Sequence, residues 1–180
     1  DGFVDSIIAV VDKRHDARRF DRVATIAQMA AKIAAASDQS SNYELVVQKI
    51  KLGGNGPILA NALASLGLNV AYLGAVGYPH LHPVFRELAD KAEVHGIAEP
   101  GQTDALEFDD GKLMLGKYQS LDEVDWEHLV ARVGVDRLSA LLGQSGLVAM
   151  VNWTMLPHMT RVWQNMIRQA IVPPAEPRRP

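Results

Sequence analysis

The residues best suited to chemistry in this chain stand together at Gly53-Gly54-Asn55-Gly56-Pro57. They follow a run with strand character (residues 43–52) and open an apolar, alanine-containing run of helical period (58–66) that Gly67 closes. Paired glycines let a ligand approach the backbone closely, and the unpaired N–H groups at a helix start can bind oxygen atoms. Asn55 adds a donor and an acceptor on one side chain, a combination that suits a hydroxyl group. The same five residues would also serve as an ordinary strand-to-helix turn with Asn55 as the N-cap. Local chemistry leaves both readings open.

Asp5 is the second candidate. It lies in an apolar, β-branched run (residues 3–11) that reads as a strand buried on both faces of a parallel sheet. A carboxylate at the C-terminal end of such a strand sits where open α/β sheets bind ligands, and it accepts two hydroxyl hydrogen bonds. A turn-capping role is the alternative for Asp5, and Asp1, on the approach to the same strand, reads as exposed.

Other chemistries find little support. There is no cysteine, which removes disulfides, thiolate metal sites and a cysteine nucleophile. The six histidines are scattered, and the pair His80 and His82 lacks the further ligands a metal site needs. Neither a G-x-S-x-G elbow nor a G-x-x-x-x-G-K-[ST] phosphate loop occurs. A net charge of −3 gives no basic field for nucleic acid, and no apolar run approaches the ~20 residues that span a bilayer. No signal peptide is visible. Trp126, Trp153 and Trp163 read as packing residues, although Trp153, beside Asn152, is also placed to stack on a ring.

The elements that must position these groups alternate between strand and helix. Residues 12–20 read as a charged loop, and 21–36 as an amphipathic helix capped by Asp21, with Gln28 and Lys32 facing solvent. Strands are expected at 69–76 and 146–151. Helices are expected at 83–91, at 125–142 as one long element, and at 155–170. Asp109-Asp110-Gly111 is a strong hairpin signal between residues 103–108 and 112–116. The alternation argues for an α/β sheet with crossovers, and the hairpin for a small appended sheet.

Taken together, these segments resemble the N-terminal signature of the PfkB/ribokinase family of carbohydrate kinases. Gly53-Gly54-Asn55, the helix ending in Leu66-Gly67 and the strand from Val70 to Gly77 match its G-G-N, alanine-rich helix and V-G strand. Val4-Asp5 with Ile8 and Val11 is similar to its first strand, Gln102 to Gly111 resembles the hairpin of its substrate lid, and residues 147–152 are like a strand whose end reaches the sugar. Departures occur at Ile58, at Tyr78-Pro79-His80 and at Asp104, and the family's C-terminal G-A-G-D motif, which supplies the catalytic aspartate, is not in the chain.

The resemblance implies a ribokinase-like, Rossmann-like α/β fold: a mostly parallel sheet with helices on both faces, plus a small β lid. Residues 1–172 would form an incomplete ribokinase-like domain with lid elements near 43–52 and 103–116, and 173–180 a proline-rich connector to a further C-terminal part. It implies transfer of the ATP γ-phosphoryl group to a hydroxyl of a sugar or polyol with Mg²⁺, in the cytoplasm, with neither a nucleic acid nor a membrane as partner and with a homodimer formed through the lid. This segment would carry the substrate side only: Asp5, Gly53, Gly54, Asn55, Thr103 and Asn152 bind the substrate, and no catalytic or metal-binding residue is assigned. A non-catalytic sugar- or nucleoside-binding protein of the same fold is the competing expectation. A dinucleotide-binding domain fits less well, because no G-x-G-x-x-G follows the first strand.

Overall fold

The computed structural model describes residues 1–171; the proline-rich segment 173–180 lies outside the described residues. In chain order the elements are β1 (Phe3–Arg14), β2 (Phe20–Arg22), α1 (Ile26–Ala35), β3 (Leu45–Gly53), α2 (Asn55–Ser65), β4 (Ala71–Ala75), α3 (Arg86–Ala89), β5 (Glu93–Ala98), β6 (Gly101–Phe108), β7 (Gly111–Lys117), α4 (Trp126–Val133), α5 (Val135–Gln144) and α6 (Met159–Asn165). The architecture is α/β, consistent with a ribokinase-like fold. The chain divides into two compact units.

The first unit contains Asp1–Phe3, Leu52–Gly101 and the described residues from Tyr118 onward. Its sheet is the parallel pair β4–β5, in register from Ala71 opposite Glu93 to Gly74 opposite Gly96, with a shift before Ala75. A parallel pair needs a crossover, and residues 76–92, which include α3, supply it. Two apolar clusters hold the unit together. In one, Ala75, Ile97 and Ala98 of the sheet meet Trp126 and Leu129 of α4, Leu138 of α5, and Met159 and Val162 of α6. In the other, Ala60 of α2 and Tyr72 of β4 pack with Val76, Phe85 and Leu88. Phe85 and Leu88 are wholly buried, each contributing about 1.5–3 kcal/mol relative to exposure.

The second unit contains Val4–Lys51 and Gln102–Lys117. Its sheet runs in the order β2-β1-β6-β7, and β3 also pairs with β1. The β6–β7 hairpin forms about the two-residue turn Asp109-Asp110, with Phe108 opposite Gly111 and Thr103 opposite Gly116. Ile8, Val10, Leu106 and Phe108 from the sheet bury against Val23 and Met29.

Several sequence expectations are corrected. The charged stretch after residue 11 continues β1 to Arg14, antiparallel to β2, and Asp21 belongs to β2 opposite Lys13. The helix therefore starts at Ile26, capped by Thr25, whose side chain accepts from the Gln28 N–H while the Gln28 side chain accepts from the backbone N–H of Thr25. Lys32 pairs with Asp12 at 2.6 Å. The single helix expected at 125–142 is two, because Gly134 breaks it with φ 87° and ψ 146°. Residues 146–151 form no strand. The last helix starts at Met159, since Pro157 forces Leu156 into an extended conformation (φ −114°, ψ 98°). Beyond Asn165 the chain continues as a π-helix, Met166–Ala170. Strand β5 carried no signal that the sequence reading used.

Candidate functional site

The site is built at the start of α2, within the first unit. The chain leaves β3 at Gly53 and turns at Gly54, which has φ 92° and ψ 141°. A Cβ on Gly54 would lie 3.0 Å from Asp1 Oδ2 and 3.1 Å from Gly2 Cα, so conformation and space both require glycine there. Gly54 is also the N-cap, and it has no side chain with which to satisfy the first N–H groups of the helix. Asn55, expected as the N-cap, is instead the first residue of the helix.

The missing cap comes from Asp1. Its Oδ1 accepts the Gly56 N–H at 2.8 Å and its Oδ2 accepts the Asn55 N–H at 2.9 Å. The positive end of the helix and two charge-assisted hydrogen bonds thus meet one carboxylate. A third donor arrives from far along the chain, where Asn152 Nδ2 lies 2.5 Å from Asp1 Oδ2 and 3.4 Å from Met155 Sδ. Asn152 adopts a left-handed conformation (φ 62°, ψ 43°) that opens the short 3₁₀ turn Trp153–Met155. The main chain of Asp1 is held as well, because the buried Tyr72 hydroxyl of β4 donates to its carbonyl oxygen. Burial pushes the Tyr72 phenol well above its ordinary value, so it remains a donor across the neutral range. Asp1 itself is only 5% exposed, and three N–H donors match its carboxylate.

The structure therefore gathers Gly53, Gly54, Asn55 and Asn152, four of the expected residues, around one that was read as exposed. Asp1 and Tyr72 were missed. The available signal was a helix N-cap glycine with no side chain, which obliges an acceptor to come from elsewhere. The Asn55 side chain is exposed, and neither it nor Asn152 Oδ1 has a hydrogen-bond partner among the described residues.

Asp5 and Thr103 belong to the second unit. Asp5 is the third residue of β1, near the start of the strand and not at its C-terminal end, and it is half-buried. Thr103 is buried on β6. A concavity of about 570 Å³ in this unit is lined by Ile7, Phe20, Arg22, Gln48 and Glu107 among others, and by none of the expected site residues.

Two of the remaining candidates have structural work. His82 Nδ1 accepts the Val84 N–H at 3.3 Å. Trp153 is half exposed, donates Nε1–H to Thr160 Oγ1 at 3.1 Å and packs on Trp163 with ring centroids 4.9 Å apart. Among the described residues no three histidine, aspartate or glutamate side chains group to hold a metal ion, and no helix is long and apolar enough to cross a membrane.

Comparison with known proteins places this geometry in context. Residues 1–177 match the family model described as prokaryotic ketohexokinase. A ketohexokinase of Haloferax volcanii is 32% identical over 164 residues, covering 90% of this chain. The aligned part is 44% of that relative, so the chain spans less than half the length of the curated relative it matches.

Proposed function

From the chain's membership of the prokaryotic ketohexokinase family, itself of PfkB type, we propose that the protein carrying it phosphorylates a ketohexose, transferring the γ-phosphoryl group of ATP to a sugar hydroxyl. The match over residues 1–177 carries this reading. The grouping of Asn55 and Asn152 at one carboxylate supports it, since two neutral amides offer the mixed donors and acceptors that a polyol needs.

In this reading the chain supplies the sugar side. Asn55 and Asn152 bind hydroxyls, and the glycines allow the sugar close to the backbone. Positioning and charge stabilisation account for most of phosphoryl transfer, so holding the acceptor hydroxyl in place is a direct contribution to rate. Mg²⁺ in a kinase is held by one or two carboxylates together with the nucleotide's phosphates, and would neutralise charge on the transferred group.

The sheet of the second unit, which carries β3 and the β6–β7 hairpin, is the lid in this proposal; that these segments share one sheet supports it. Two copies would associate through it, which the exposed Val47, Ile50 and Met114 favour. Sedimentation showing only monomer at assay concentration would remove that part.

The test is ADP formation by the full-length protein with D-fructose, other ketohexoses and aldohexoses, followed by mass analysis of the product. Turnover confined to ketohexoses is expected. Sugar binding without turnover would favour the non-catalytic alternative, and neither binding nor turnover would sink both.

A further inference from the structure

We infer that Asp1 is a positioning residue for sugar binding: its carboxylate fixes the Asn55 backbone and the Asn152 amide so that the Asn55 side chain and Asn152 Oδ1 face the substrate. This rests on the kinase reading above and assigns the way its sugar site is held.

An ionised carboxylate only accepts hydrogen bonds, so the atom of Asn152 that meets Asp1 Oδ2 must be the nitrogen. The amide cannot flip without placing oxygen against oxygen. Asn152 Oδ1 is therefore the acceptor that remains, and a sugar hydroxyl is a donor that suits it. Asn152 also keeps a left-handed backbone, so both its orientation and its location are specified.

The start of α2 follows the same logic. The Asn55 and Gly56 N–H groups, which the sequence offers as oxygen-binding donors, are already taken by Asp1. What α2 presents to a ligand here is the Asn55 side chain. Asn55 N and Asn152 Nδ2 bond to the same oxygen, Oδ2, which places the two amide-bearing residues side by side. Asp1 has its carboxylate oxygens occupied and is nearly fully buried, so it acts through these neighbours and does not itself touch the sugar. The Tyr72 hydroxyl, bound to the Asp1 carbonyl, fixes the other end of the residue. A ligand site whose polar groups are locked by their own supporting bonds loses less freedom on binding, which is where Asp1 would contribute affinity.

The experiment is steady-state kinetics on the full-length protein, varying D-fructose and ATP separately, with thermal melts. Asp1→Asn puts an NH₂ group among N–H donors, so the fructose KM should rise about tenfold or more while the ATP KM stays within about twofold. A folded Asp1→Asn with unchanged fructose KM overturns the inference, as does an equal rise in both KM values, which would mean general loosening. Should Asp1→Asn fail to fold, Asn152→Gly carries the test. It keeps the backbone and removes only the amide that Asp1 holds, and the same split between the two KM values is expected. An unchanged fructose KM in that variant also overturns the inference. A wild-type protein that turns over fructose while the variants match it defeats this inference alone. A wild-type protein that phosphorylates no ketohexose defeats the kinase reading, and this inference with it.

Discussion

Asn152 donates from Nδ2 to Oδ2 of Asp1 at 2.5 Å, across 151 positions of sequence. That contact joins the loop after α5 to the N-terminus of α2, because the same oxygen also accepts the Asn55 N–H. It depends on a backbone conformation that few side chains adopt, which makes position 152 a test of both features.

Asn152→Gly and Asn152→Ala both remove the amide, but only alanine must be forced into φ 62°. The left-handed region costs a residue with Cβ roughly 1–2 kcal/mol, offset by about 0.4–1 kcal/mol because alanine restricts the unfolded chain. At the middle of these ranges the glycine variant should therefore be the more stable of the two by about 0.8 kcal/mol, read from chemical denaturation. Equal stability, or alanine ahead, would show that the conformation is not limiting.

Tyr72→Phe deletes the hydroxyl that donates to the Asp1 carbonyl and leaves a buried acceptor unpaired, at a cost of about 1–3 kcal/mol. The pH dependence follows from the raised phenol pKa. The folded state keeps its proton while the unfolded tyrosine ionises near 10, so this stabilisation is complete below about pH 10 and declines above it. Wild type should lose stability more steeply than Tyr72→Phe between about pH 9.5 and 11. Parallel slopes would contradict the assignment.

Asp125 caps α4, accepting the His128 N–H at 2.7 Å and lying 2.9 Å from His128 Nδ1. Burial acts to raise its pKa, but these hydrogen bonds and the charges of His128 and His158 outweigh it and hold the carboxyl below its ordinary value. A depressed folded pKa contributes stability above the unfolded value of about 3.9, and that contribution is lost as pH falls through the folded one. Asp125→Ala should cost about 1 kcal/mol at neutral pH, and the gap to wild type should narrow progressively as pH falls below about 4. A gap that does not narrow on acidification below about pH 4 would refute the charge-based account.

Among the described residues no neighbouring atom lies within 4 Å of a Cβ built on Gly134. Packing does not oppose a substitution there, so backbone conformation decides. Gly134→Ala must hold φ 87° and should cost about 1–3 kcal/mol in chemical denaturation. An alanine variant as stable as wild type would refute the argument.

What the sequence alone determined is the chemistry that acts over a few residues. The Gly53-Gly54-Asn55 turn into α2 was legible because paired glycines and the helical period of the residues that follow are local facts. The β6–β7 hairpin was legible for the same reason, since Asp109-Asp110-Gly111 specifies a tight reversal between strand-forming runs. The break at Gly134 and the Thr25–Gln28 capping box were equally local and were passed over in favour of a continuous apolar period and a nearby aspartate. Tertiary structure alone decided the rest. Residues 146–151 have strand composition, yet Leu147 is 77% exposed and the segment forms no strand, because a strand exists only where another backbone meets it. Asp1 shows no motif, and its role follows from donors 54, 55 and 151 positions away. A helix start announces that it needs an acceptor. Which residue supplies it depends on where the fold brings the chain back, and no local pattern encodes that.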